Sequence, residues 1–384
     1  MSLFGTRSEM EAALSGALSR YIGYTTGAYD LNRIFSTLDA FGDNPSLYRD
    51  EIVAFLDETD HGETEGRDQK RTSGEYRSEV LSFAKSMDLV ETVSRRDARL
   101  ERLAPTELGR TLNGARDVRD REFLKFFTAK LVFLADADAL YPILKFYESS
   151  TSQDIQSYYQ EFMRELRHRR TEWLHAAFPE AILRDRVANA ISWLTPVKGR
   201  KGQYKIESIS KNTARHHVTP RKGWLEDIGM FDRSNATLRR FGREAIASLE
   251  VGEEFFWLGP QKGLQTELGI PISLQAGEPY EDTWFADSNR LKPKEFEVQS
   301  LIDDVVRVMV LGYPASKLKH ASQASLRLPI EYITFRSFKD QRSYDWQTVV
   351  DEVFKSRKSE VERFSAKKGS IGFYRPKVKQ EKQN

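Results

Sequence analysis

The sequence predicts a mainly α-helical fold with short β-ribbons, and three observations lead to this prediction. Apolar residues recur at helical spacing in many stretches of the 384-residue chain. Short alternating stretches follow some of these helices, and polar turns connect them to return strands. One helix–ribbon–helix pattern also occurs twice, and an internal repeat is stronger evidence for a fold than either copy alone.

The first copy of the pattern covers residues 73–112. Its opening helix has one apolar face, formed by Val80, Leu81, Ala84 and Met87. Residues 89–93 alternate as a short strand does, and residues 98–103 form the return strand after a polar turn. Pro105 then stands where the first turn of a helix tolerates proline. We therefore expect a helix, a two-stranded ribbon and a second helix.

The second copy lies between residues 224 and 245. Residues 87–91 align with 228–232, and the Leu-Gly-Arg of 108–110 aligns with the Phe-Gly-Arg of 241–243. The ribbon of the second copy is shorter than that of the first. The alignment predicts that both segments fold alike.

This order of elements resembles the second half of a winged helix-turn-helix domain. The phrases Met-Asp-Leu-Val-Glu at 87–91 and Leu-Gly-Arg-Thr-Leu at 108–112 are similar to the wing and following helix of bacterial DNA-binding modules. The resemblance implies tandem winged helix-turn-helix domains with helical insertions. The predicted parts are an N-terminal helical arm (1–28), a first winged helix (29–116), a second with helical insertions (117–250), a third domain that the sequence allows to be a divergent winged helix (251–354), and a basic C-terminal tail (355–384).

Composition excludes several classes of protein. The chain has no cysteine, which excludes disulfides, cysteine nucleophiles and cysteine-ligated metals. Hydrophobic residues make up 39% and charged residues 30%, a balance typical of a soluble globular protein. No apolar run approaches the roughly 18 residues of a membrane helix, and no secretory signal is evident. We expect a cytoplasmic protein that does not contact membranes.

Charge is unevenly distributed along the chain. The net charge is only +2, but residues 355–384 contain ten Lys or Arg against three Glu. Residues 164–170 are also basic, whereas 57–68 and 278–287 are acidic. A near-neutral chain can therefore hold a basic binding face.

The resemblance implies a recognition helix in the major groove and a ribbon on the phosphate backbone. Base edges favour Arg, Asn and Gln, and phosphates favour Lys, Arg, Ser and Thr. Candidates in the first module are Arg71, Thr72, Ser73, Tyr76 and Arg77, with Arg95 and Arg96 in its wing. Candidates in the second are Lys211, Asn212, Thr213, Arg215, His216, Arg221 and Lys222, beside His217 and Thr219, with Arg233 and Asn235 in its wing. The second set is the most DNA-like stretch of the chain.

Two pairs of residues suggest roles other than contact with DNA bases. Arg110 and Arg243 follow a glycine at matching places after each wing. An arginine there can clamp a phosphate, but we expect both to make structural contacts within their modules. His216 and His217 diverge by about 100° on a helix, and no third ligand stands at metal-binding spacing. We therefore expect no metal and no other cofactor.

Catalytic signatures are missing from the sequence. The best acidic fragment for a nuclease, Asp282 with Glu295 and Glu297, lacks the strand-borne acid–x–Lys element of restriction enzymes. No glycine-rich loop followed by Lys and Ser or Thr predicts an ATPase. The sequence therefore favours a binding protein over an enzyme and leaves the enzyme question open.

The tandem arrangement resembles the DNA-recognition region of type IIS restriction endonucleases. Without a cleavage motif, this resemblance implies a double-stranded DNA-binding subunit, for recognition or loading, in a bacterial restriction or anti-phage defence complex. Its protein partner would be a nuclease, helicase or motor subunit. One alternative is a winged-helix scaffold for protein–protein contacts, as in condensin-like assemblies. The other is a divergent Mg²⁺-dependent nuclease.

Overall fold

A computed structural model describes thirteen stretches of the chain, which divide into two compact units. The described residues are 31–42, 44–59, 73–94, 101–149, 154–165, 197–198, 204–205, 209–232, 234, 236–243, 290–313, 323–364 and 372–377. The composite unit consists of those in 32–130 and 287–384, and the central unit of those in 131–286 together with Leu31.

The described elements are helices and short strands. The helices are α1 (Leu31–Asp39), α2 (Arg49–Thr59), α3 (Ser73–Ser86), α4 (Glu107–Val118), α5 (Arg121–Glu148), α6 (Lys211–Asp227), α7 (Glu295–Leu311), α8 (Arg327–Asp340) and α9 (Trp346–Ser356). The strands are β1 (Leu47–Tyr48), β2 (Val90–Ser94), β3 (Arg102–Pro105), β4 (Val197–Lys198), β5 (Tyr204–Lys205), β6 (Phe231–Asp232), β7 (Thr237–Leu238), β8 (Ala324–Ser325), β9 (Val361–Phe364) and β10 (Phe373–Pro376). Residues 155–165 and 240–243 are also helical. The predicted mainly α fold with short β-ribbons is confirmed.

The composite unit contains the same succession of elements twice. Its first half runs α1, β1, α2, α3, β2, β3, and its second half runs α7, β8, α8, α9, β9, β10. Each half has a three-stranded antiparallel sheet in which the last strand lies in the middle, in the orders β1–β3–β2 and β8–β10–β9. The register also agrees: Leu47 pairs with Leu103, two residues before the end of β3, and Ala324 pairs with Tyr374, two before the end of β10.

Three ribbons of the chain close in the same way. The residue pairs at their bases are Val90–Pro105, Phe231–Leu238 and Val361–Pro376. After each return strand, a backbone amide donates to the carbonyl just before the outgoing strand. These bonds are Thr106 N to Leu89 O at 3.0 Å, Arg239 N to Met230 O at 2.9 Å, and Lys377 N to Glu360 O at 2.7 Å. The aligned segments 87–91 and 228–232 therefore have equivalent backbone contacts, and a third ribbon shares them.

The third ribbon corrects the predicted boundary between the third domain (251–354) and the basic tail (355–384). Helix α9 crosses residue 354, and β9 and β10 both lie in the predicted tail. Their core residues Val361 and Tyr374 are 1% and 0% exposed. Each strand is only four residues long and lies among charged residues. The alternation of apolar and polar residues that predicts a strand was therefore not recognised.

In both aligned Gly-Arg pairs the first residue must be glycine, because a backbone carbonyl lies too close to leave room for a side chain. A Cβ on Gly109 would lie 2.2 Å from the carbonyl oxygen of Leu89, and one on Gly242 would lie 2.5 Å from that of Met230. The following arginines donate to the return strands, Arg110 Nη1 to Pro105 O at 2.5 Å and Arg243 Nη1 to Leu238 O at 2.8 Å. The predicted structural role of both arginines is confirmed.

Replacing Gly109 or Gly242 by alanine is therefore expected to destabilise the ribbon–helix junction. In an ordinary helix this change stabilises by up to about 1 kcal/mol. Here the added methyl group meets a backbone carbonyl, and overpacking of this kind costs about 1–3 kcal/mol. Thermal denaturation of each variant measures the change. A raised midpoint in both variants would contradict the close approach.

Helix α4 and the start of α5 pack against the second half of the composite unit. Phe123 meets Tyr332 edge to face, with ring centroids 5.1 Å apart. Lys130 Nζ lies 2.8 Å from Glu331 Oε2, and both side chains are nearly fully buried. An apolar contact and a buried ion pair thus join the start of α5 to α8 in the second half.

The central unit contains a bend in α5. Asp136 has non-helical backbone angles (φ −141°, ψ 21°), so the helix changes direction there. The other described elements of this unit are the helical residues 155–165, α6, and the ribbons β4–β5 and β6–β7. Helix α6 and the ribbon that follows it contain the predicted second recognition region.

Candidate nucleic-acid interface

Helix α6 has a defined start and end. The Ser210 hydroxyl caps its first turn by accepting a hydrogen bond from Thr213 N at 3.0 Å, and the two hydroxyls lie 2.8 Å apart. At the other end Gly229 has a φ of +79°, which favours glycine. Pro220 lies inside α6 without ending it, because the helix continues to Asp227. The candidate residues 211–222 therefore lie on a single helix.

One face of α6 is buried in the central unit. Its buried side chains are Ala214, Val218, Pro220, Arg221, Trp224 and Leu225. Trp224 and Leu225 are both 0% exposed. This spacing is that of an amphipathic helix, and it fixes which side chains point outward.

The outward side of α6 carries hydrogen-bond donors. We define the donor face as the exposed residues Asn212, Arg215, His216 and Thr219. At 3.6 residues per turn these four lie within an arc of about 100°. The first acidic residue of α6 is Glu226, one residue from the end of the helix. The first four turns therefore offer donors and positive charge without a competing carboxylate on the helix itself.

Two lysines flank the donor face in different environments. Lys211 is exposed, with Nζ 3.3 Å from the Asp154 carboxylate. Hydrogen bonds from Ser157 and the neighbouring Lys211 lower the pKa of Asp154 to about 2, so Asp154 stays ionised at neutral pH. An exposed pair of this kind contributes little, so Lys211 can exchange Asp154 for another anion.

Lys222 is half-buried between aromatic rings. Its Nζ lies 5.4 Å from the ring centroid of Tyr147 and 5.5 Å from that of Phe231. Cation–π contacts at this distance hold the ammonium group, while the aliphatic stem covers apolar surface. The charge of Lys222 is thereby kept at the base of the β6–β7 ribbon.

The structure corrects the prediction that Arg221 contacts DNA. Its side chain is 0% exposed and forms a two-point ion pair with Asp136, with Nε 2.6 Å from Oδ2 and Nη2 2.9 Å from Oδ1. Its Nη1 donates to the backbone carbonyl of His217 at 2.9 Å. The guanidinium group is therefore enclosed in the protein and binds α6 to the bend of α5.

The spacing of Arg221 already indicated its position. It lies seven residues after Ala214 and three after Val218, which places it on the apolar side of the helix. Its partner Asp136 is 85 residues away in the chain and had no recognisable motif. Sequence reasoning therefore missed Asp136, which anchors the candidate helix.

Several other candidates lie outside the described parts of the chain. Ser73, Tyr76 and Arg77 belong to α3, which starts at the predicted place, but their side chains are outside the description. The candidates that lie entirely outside the described residues are Arg71, Thr72, Arg95, Arg96, Arg233 and Asn235. Among the candidates whose side chains are described, those brought together lie on α6.

Comparison with models of known protein families, with curated proteins and with solved structures gave no match. Among the described residues, no three His, Asp or Glu side chains form a group that could hold a metal ion. No described helix is both long and apolar enough to cross a membrane.

Proposed function

We propose that the protein binds double-stranded DNA through the donor face of α6. The observation that carries this proposal is the composition of the exposed side of α6: donors and positive charge over four turns, with the only acids at the C-terminal end. Arg215 has no ion pair or hydrogen bond within the described part of the chain, so its guanidinium group is available to a phosphate or base. Such donors form hydrogen bonds and ion pairs with phosphate oxygens, and these contacts supply much of the affinity of a DNA-binding protein.

We further propose that the three ribbons belong to tandem winged helix-turn-helix domains. The order helix–strand–helix–helix–strand–strand in both halves of the composite unit supports this proposal, as does the common closure of the ribbons. In such domains the helix before the ribbon enters the major groove. Helix α6 holds that place in the central unit.

The proposed role is that of a DNA-recognition or loading subunit. It would work with a separate nuclease, helicase or motor in a bacterial restriction or anti-phage complex. The support is the resemblance of the tandem arrangement to the recognition region of type IIS restriction endonucleases.

A second candidate function is a scaffold for protein contacts, and α9 favours it. This helix precedes a ribbon as α6 does, but its exposed side carries a carboxylate, Asp351, beside Lys355, and the Asp351 carboxylate accepts a hydrogen bond from Arg363. Helix α2 exposes Asp50, Glu51 and Glu58. Carboxylates at these places repel phosphates, so these faces of α2 and α9 are less suited to DNA than the donor face of α6.

Replacing Lys211, Arg215 and Lys222 together by alanine is expected to weaken DNA binding by more than tenfold. Each phosphate contact that is lost also removes about 0.9 from the slope of log affinity against log salt. Fluorescence anisotropy with a random-sequence duplex, at salt concentrations between about 50 and 200 mM, measures both quantities. Arg221 is left unchanged because its substitution would disturb the interior.

The matched control replaces Arg307, Lys355 and Lys358 by alanine. These residues are exposed on the composite unit, and their loss changes the net charge by the same amount. We expect the control to bind DNA nearly as the unchanged protein does. Equal losses in both variants would remove α6 from the interface. No binding by the unchanged protein, even at low salt, would overturn DNA binding and favour the scaffold.

A further inference from the structure

Asn212 and Arg215 on the donor face have the chemistry that reads bases. In the major groove, arginine donates two hydrogen bonds to guanine O6 and N7, and asparagine pairs with adenine N6 and N7. Both residues are exposed, and both lie in the first two turns of α6. The N-terminal residues of a recognition helix are those that reach base edges.

The spacing of the two residues matches neighbouring base pairs. Positions three apart on a helix lie on one side and are separated along its axis by about 4.5 Å. Successive base pairs are about 3.4 Å apart. Two side chains of this length can therefore reach adjacent bases at the same time.

Their neighbours on α6 have partners in the described part of the chain, and of these the exposed pair of Lys211 with Asp154 can open to a phosphate. Lys211 lies against Asp154, and the hydroxyl of Thr213 is bonded to Ser210 in the helix cap. Within the described residues, no hydrogen bond or ion pair holds the side chain of Asn212 or Arg215. These two are the planar donor groups of the first two turns that are available to a ligand.

The side of α6 on which Asn212 and Arg215 lie is fixed by burial of the opposite side of the helix. Ala214 and Val218 are 0% and 2% exposed, and the buried pair of Arg221 with Asp136 connects α6 to α5. Rotation of α6 about its axis would expose these apolar groups and separate the ion pair. The donor face is therefore presented rigidly, as base reading requires.

On the basis of the DNA contact proposed above, we propose that Asn212 and Arg215 read two adjacent purines on one strand. Arg215 recognises a guanine and Asn212 an adenine. The ligand is then a duplex with neighbouring G·C and A·T pairs, and Lys211 and Lys222 contact the flanking phosphates. Asn212 and Arg215 determine specificity, and the two lysines contribute affinity for any sequence.

Selection of bound duplexes from a random-sequence library tests this assignment. We expect the sequences bound by the unchanged protein to share adjacent G·C and A·T pairs. Arg215→Lys keeps the charge but cannot form the two-point contact, so it should bind random DNA normally and lose the preference for G. Asn212→Ala should lose only the preference for A. A lost contact of this kind reduces discrimination by about 5- to 140-fold.

The control variant is Lys211→Ala, which should weaken all sequences equally and leave the selected motif unchanged. Salt-dependent binding by the unchanged protein without any enriched sequence would overturn the base-reading assignment and leave DNA binding intact. A preference for G that persists in Arg215→Lys would also overturn it. No DNA binding by the unchanged protein would overturn both proposals.

Discussion

Replacing Arg221 by alanine is expected to destabilise the central unit by about 3–5 kcal/mol. The change leaves the Asp136 carboxylate, which is 0% exposed, without the guanidinium group that accompanies it. An ionised carboxylate in the interior has lost its hydration, so its cost appears once the partner is removed. The bend of α5 at Asp136 and the buried side of α6 would separate first.

Chemical denaturation of the full chain measures this loss. Arg215→Ala is the control on the same helix, because Arg215 is exposed and such substitutions usually change stability by less than about 0.5 kcal/mol. A second variant replaces Asp136 by leucine and Arg221 by methionine together. It should be much more stable than Arg221→Ala, since a buried ion pair can often be exchanged for apolar residues. Equal stability of Arg221→Ala and Arg215→Ala would contradict the anchoring role.

Local patterns in the sequence were sufficient to find the repeated ribbon. The alignment of Leu89 with Met230 and of Gly109 with Gly242 depended only on nearby residues. In the structure the two carbonyl groups and the two glycines occupy equivalent positions, with the same close approach. Backbone geometry of this kind is dictated within one turn or ribbon, so it is visible in a short stretch of sequence.

Long-range pairing could not be predicted in the same way. Nothing near Arg221 in the chain indicated that Asp136 would neutralise it, and Arg221 was therefore included among the DNA-contact candidates. The third ribbon was missed for a related reason. Its middle strand β10 pairs with β9 and with the distant β8, and these contacts bury Tyr374 despite the charged sequence around it. Tertiary contacts decide the environment of such residues.

The second large effect is expected from Trp224→Ala. Trp224 is 0% exposed, and its ring lies 5.6 Å from the guanidinium carbon of Arg221. Removing a buried aromatic side chain leaves a cavity and costs about 3–5 kcal/mol. The first copy of the repeat offers an internal comparison, because Phe83 holds the equivalent position. Trp224 O accepts from Ile228 N at 3.0 Å, and Phe83 O accepts from Met87 N at 3.0 Å.

Thermal denaturation of Trp224→Ala, Phe83→Ala and Trp346→Ala separates a core role from a general loss of aromatic surface. Phe83 is 1% exposed and should show a loss as large as Trp224, whereas Trp346 is only partly buried and should show a smaller one. Trp224→Ala should also weaken DNA binding at temperatures near its melting temperature, because α6 presents the donor face only while its buried side stays packed. If Trp224→Ala kept its melting temperature, the tryptophan would not belong to the core that orients α6.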